Sequence, residues 1–235
     1  RLLRAAGKLP KAARHADAVN VIMLEVMREL RAFSPERLCT ALLAFKALRT
    51  QEPTTLENLG EAFANQVPRC SPQQLASCLH CLVRLGVRET SVFNAAAEQI
   101  LRDIVGFSHR DLCLCLWALA KVSHKDKRLV KRLEFYYSET KNSRQLAPVD
   151  ISMMLWSFSR FGWQFSTEAF SRLTQSAAME CQEYSDTALV VTCLSLARLG
   201  FRNPAVLSTI YRNFYARLPR LRDSQFALAF VLFAG

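Results

Sequence analysis

Six stretches of this chain, beginning at Ser34, Ser71, Ser108, Ala147, Ser185 and Arg222, repeat one chemical pattern at offsets of 37, 37, 39, 38 and 37 residues. Self-similarity at that period is the mark of stacked supersecondary units, each too small to bury its own apolar face. The expectation is an all-α fold, an α-solenoid of helical hairpins. Positions are counted below as columns from the first residue of each repeat.

The start of each first helix is written in side chains. Column one is Ser in four repeats, Pro35, Pro72 and Pro148 follow in column two, and Gln74 and Asp111 stand three residues after a Ser. A hydroxyl N-cap, a proline at N1 and a polar N3 residue satisfy or remove the orphan N–H groups of a helix start. The stop is written too: Gly86, Gly162 and Gly200 occupy column sixteen, with Arg49 and Ser123 there in other repeats.

Columns five, nine and twelve are large and apolar, as in Leu75, Leu79 and Leu82, or Leu112, Leu116 and Leu119, or Ile151, Leu155 and Phe158, or Phe226, Phe230 and Phe233. At 100° per residue these columns share one face, the expected core. Columns six, eight and thirteen are mostly small, which lets first helices of neighbouring repeats approach closely. A second helix follows each first one. In the second repeat its apolar stripe runs Phe93, Ala96, Ala97, Ile100, Leu101, Ile104 and Val105, with a polar opposite face. The second helices are expected to form the solvated layer.

Residues 1–33 read as a basic lead-in followed by the second helix of a preceding repeat, and 34–235 as one array. The first 16 residues carry Arg1, Arg4, Lys8, Lys11 and Arg14 with no acid, a composition shared by frayed basic helices and by the neighbourhood of organellar transit peptides. With no initiator Met and a last repeat cut short, the chain is expected to be a piece of a longer protein. No apolar run reaches the roughly 18 residues of a membrane span.

Chemistry for catalysis is missing from the sequence. It contains no phosphate loop, nucleophile elbow, zinc-protease motif or dinucleotide fingerprint. Cys78-Leu-His-Cys81 has the look of a metal knuckle, but both cysteines fall in packing columns and no second ligand pair has zinc spacing. Six of the eight cysteines sit in first helices, read here as small hydrophobes of a reducing compartment. Neither a metal nor a cofactor is expected, and the chain reads as a binder rather than an enzyme.

Charge says what it would bind. The net charge is +11, and it is uneven: +5 over residues 108–146 against −2 over 147–184. A basic array suits a polyanion. Two features focus that reading. Lys125, Lys127, Arg128, Lys131 and Arg132 cluster at the turn and second helix of the third repeat, beside His124. Column fourteen holds Arg84, Lys121, Arg160 and Arg198 in four consecutive repeats, and column ten holds His80, Trp117 and Trp156, each four residues before a cation. Columns three, seven, ten and fourteen lie opposite the core face, so flat rings and cations could hold bases and phosphates. A cation in the last helical turn also complements the helix dipole and can lie over a neighbouring ring, which is a purely structural use of the same residues.

The segment Asp111-Leu-Cys-Leu-Cys-Leu-Trp-Ala-Leu-Ala-Lys-Val122, echoed by Gln74 to Gly86 and by Ile151 to Gly162, resembles the signature of heptatricopeptide and octotricopeptide repeats, relatives of those in RAP-domain and FAST-kinase-like proteins. The likeness covers residues 20 to 235. It implies an organellar RNA-binding protein, mitochondrial or alternatively plastid, acting on transcripts or in a mitochondrial ribosome beside ribosomal or other ribonucleoprotein subunits. No RAP domain is visible. The chain departs from the pattern at Arg49 and Ala47 and in the long third repeat, whose second helix is expected to continue through Ser138 to Arg144. Polar columns three and four are candidates for base selectivity (Glu36, Arg37, Gln73, Gln74, Arg110, Asp111, Asp150), and the cations of column fourteen for affinity. The alternative function is a protein-binding scaffold, with a groove of Leu114, Met153, Val191, Leu194 and Trp156 and its cations turned away.

Overall fold

The computed structural model describes residues 25–48, 52–139, 146–162, 167–223 and 225. Among them the fold is all-α, a run of helical hairpins. The first helices are α1 (Pro35–Leu48), α3 (Pro72–Leu85), α5 (His109–Lys121), α7 (Pro148–Phe161) and α9 (Asp186–Arg198). The second helices are α2 (Pro53–Gln66), α4 (Thr90–Arg102), α6 (Lys127–Ser138), α8 (Thr167–Met179) and α10 (Pro204–Arg217). Residues 25–29 are helical and lead through a 3-10 turn, Leu30–Ala32, into the first repeat.

The caps form as the side chains dictate. Ser71 accepts from the Gln74 N–H while Gln74 reaches back to the Ser71 N–H, a complete capping box. Ser108 takes the Asp111 N–H at 3.1 Å and donates to its carboxylate at 2.6 Å. Ser185 caps Ala188. At the other end Gly86, Gly162 and Gly200 take left-handed backbone, with φ of 94°, 70° and 63°. Ser123 is held in the same conformation at φ 58° without glycine's freedom.

The chain forms two compact parts that meet at Ala118 and Leu119, inside α5. In the N-terminal part α1 packs on α3 and α2 on α4. In the C-terminal part α7 packs on α9, and α8 on α6 and α10. First helices therefore layer on first helices and second on second. Columns five, nine and twelve are buried as expected, in Leu75, Leu79 and Leu82 and again in Ile151, Leu155 and Phe158. Phe226, Phe230 and Phe233 lie outside the described residues.

Side-chain rungs repeat between neighbouring first helices. Column four reaches back to column three of the preceding repeat: Gln74 Nε2 donates to Glu36 Oε1 at 3.0 Å, and Gln225 Nε2 to Thr187 Oγ1 at 2.7 Å. Column six donates forward, Ser152 Oγ to the Ala188 carbonyl at 3.1 Å. Between α1 and α3, column six instead forms a covalent rung. Cys39 is joined to Cys78 as a disulfide, with Cα atoms 5.6 Å apart. This corrects the reading of those two cysteines as simple packing groups: small residues at columns six and eight bring two thiols within bonding reach. The remaining six are free and buried.

Two other expectations are corrected. The second helix of the second repeat ends at Arg102, and Val105 lies in a following 3-10 turn, 74% exposed rather than on the apolar stripe. The second helix of the third repeat ends at Ser138, with Glu139 extended at ψ 123°, instead of running to Arg144. Ser138 donates to the Phe135 carbonyl at 2.7 Å, closing the last turn; residues 140–145 lie outside the described part. No described helix is long and apolar enough to cross a membrane.

Candidate nucleic-acid interface

Column fourteen is exposed in every repeat described: Arg84, Lys121, Arg160 and Arg198 all stand in solvent on the last turn of their helices. Column ten sits half-buried just beneath in His80, Trp117 and Trp156. The spacing of four residues puts each cation above the ring on its own helix. The structure adds a pairing that this spacing does not reveal: Arg84 and Lys121 each lean onto the ring of the next repeat. Arg84 lies 6.0 Å from the Trp117 ring centroid in the N-terminal part, and Lys121 Nζ lies 4.9 Å from that of Trp156 in the C-terminal part. Such contacts contribute about 0.5–1 kcal/mol at exposed sites. They hold flat rings and charges together at the surface.

His80 packs against Trp117 with ring centroids 5.2 Å apart. Burial, reinforced by Lys46, Arg84 and Arg110 nearby, pushes its imidazole below the ordinary histidine range. It is therefore a neutral, flat partner at neutral pH. The pattern stops at α9, where column ten is Leu194, a buried aliphatic with no ring to offer Arg160. The sixth-repeat position facing Arg198 lies outside the described residues.

The cluster of the third repeat is also at the surface. Lys125, Lys127, Arg128, Lys131 and Arg132 are exposed on the turn and on α6. Asp126 caps α6 through the Arg128 and Leu129 N–H groups and ion-pairs with Arg128 at 2.8 Å. Burial pushes His124 below its usual range against the pull of Asp126, so the turn's positive charge comes from lysine and arginine.

Columns three and four divide. Arg37 and Arg110 are exposed, but Gln74 is committed to its capping box and to Glu36, and Asp111 to Ser108. Asp150 is buried at 6% exposure. These three therefore serve the fold where they stand.

Sequence reasoning passed over two residues. Phe135 is 62% exposed on α6 with the Arg132 guanidinium 6.0 Å from its centroid, and its signal was a phenylalanine three residues after an arginine on a charged face. Arg217 is buried at the end of α10. It donates to the carbonyls of Gln182 at 2.8 Å, Cys181 at 3.2 Å and Tyr184, and pairs with Asp186 at 3.3 Å. No periodic signal marks it, because its partners lie in the loop before α9 and at the first residue of α9.

The model of the RNA-editing substrate-binding complex 6 protein family matches residues 65–219, well over half of the chain. The chain belongs to that family. Curated proteins provide no match. A family named for an RNA-editing complex agrees with the RNA-associated, helical part of the reading. The heptatricopeptide, octotricopeptide and RAP designations are finer than this match.

Proposed function

We propose that this chain binds single-stranded RNA on the exposed faces of its first helices, as a non-catalytic subunit of a mitochondrial RNA-editing assembly. The observation that carries the reading is the inter-repeat pairing of cation and ring, Arg84 with Trp117 and Lys121 with Trp156. Flat π surfaces held beside exposed charge match what an unpaired, phosphate-bearing strand offers. Arg160 and Arg198 extend the charge. The family match favours an editing complex over a ribosome, with the subunits of that complex as protein neighbours and no membrane partner. A heptatricopeptide-like mode, one hairpin after another meeting the strand, fits the 37 to 39 residue repeat.

The scaffold alternative needs the cations turned away from the column-ten rings. Lys121 instead covers Trp156, and of the expected groove residues Leu194 is buried while Met153 and Val191 are half-buried. The test is equilibrium binding of the purified chain to an unstructured RNA at 50 and 200 mM salt. Neutralising about four phosphates predicts an affinity drop of about 50-fold between those conditions. Absence of binding at the lower salt overturns the reading.

A further inference from the structure

The outer face of α6 carries an arrangement that the first helices do not: an aromatic ring in open solvent, bordered by cations on its own helix. Leu129, Leu133 and Tyr137 point into the protein and define the buried side. Arg128, Lys131, Arg132 and Phe135 fall on the opposite side, Lys131 and Phe135 four residues apart and Arg132 and Phe135 three apart. From Arg128 to Phe135 this face extends about 10 Å at 1.5 Å per residue. Phe135 is 62% exposed, and the Arg132 guanidinium lies 6.0 Å from its ring centroid. Lys125 and Lys127 add charge at the helix start, while Asp126 is held by the cap and by Arg128.

We infer that this face of α6 is a second contact for unpaired RNA, with Phe135 as a stacking platform for one base and Lys131, Arg132 and Lys125 on the flanking phosphates. The inference rests on the RNA-binding reading above but concerns a different surface, on a second helix. Charge complementarity selects the occupant: Arg132 and Lys131 beside the exposed ring, with Lys125 and Lys127 at the helix start, suit a strand carrying phosphates and bases, whereas an apolar peptide would have to desolvate those charges. Stacking of a base on an aromatic side chain is sequence-tolerant, so the site would add affinity and grip rather than base selectivity.

The test is fluorescence anisotropy of the whole chain with a labelled oligouridylate of about 15 nucleotides, a length within the range of single-strand sites. Wild-type binding is measured first; its absence removes the reading on which the inference rests. Given binding, Phe135→Ala and Phe135→Leu are each expected to weaken affinity about 10-fold, and Phe135→Trp to retain it. Lys131→Gln with Arg132→Gln is expected to lower the salt slope by about 1.4. Phe135 lies outside the core, so an unchanged melting temperature accompanies these changes. Wild-type affinity in both Phe135→Ala and Phe135→Leu overturns the inference while leaving the first-helix reading intact. Loss in Phe135→Ala with full retention in Phe135→Leu also overturns it, because the ring would then serve only as apolar area, as for a protein partner.

Discussion

Ser123 holds a left-handed backbone at a helix end where three other repeats use glycine. A side chain in that region is strained by about 1–2 kcal/mol. Ser123→Gly is therefore expected to raise stability by about 0.5–1 kcal/mol, read as a shift in the urea midpoint at constant slope. Two half-buried histidines give a second prediction at this scale. His80 and His124 have folded pKa values lowered by burial, for His80 with help from Lys46, Arg84 and Arg110. Above the unfolded value near 6.5 both states are neutral and the groups contribute nothing to the pH dependence. As pH falls below it, the unfolded chain takes up protons first, so stability declines toward the lower folded values. The melting temperature is expected to be lower at pH 5 than at pH 7.5, and His80→Gln to narrow the gap.

At the scale of elements, Arg217 shows how one side chain fixes a connection. Its guanidinium satisfies carbonyls of Cys181, Gln182 and Tyr184 from the end of α10. Arg217→Leu leaves those acceptors without a donor and is expected to cost about 3 kcal/mol, measurable by chemical denaturation. Arg217→Lys should recover only part, because an ammonium lacks the planar fork. Helix positions were legible in the sequence because caps act locally: Ser71 with Gln74 and Gly86 mark both ends of α3 wherever it packs. The core columns were legible because burial follows the helical period. The Cys39 to Cys78 link, the Arg217 clamp and the lean of Lys121 onto Trp156 were not. Each depends on the lateral offset between helices some 31 to 39 residues apart, which a single helix period does not encode. Phe135 was missed for a different reason, since on a charged face its exposure runs against the expectation that aromatic residues are buried.

For the whole molecule, the net charge of +11 and the family match argue for a polyanion partner, and the placement of charge argues for where it touches. Arg84, Lys121, Arg160 and Arg198 recur at one column in the last turn of four consecutive first helices, and all four are exposed. A role confined to helix dipoles would leave RNA affinity untouched when they are removed. The deciding measurement is the salt dependence of RNA affinity for the chain with all four changed to Gln, set beside the unmodified chain. Contact with a phosphate at each position predicts a slope reduced by about 2.8, with affinity weakened for every unstructured sequence tried. An unchanged slope and affinity in a folded variant would contradict the assignment of the first-helix faces to RNA.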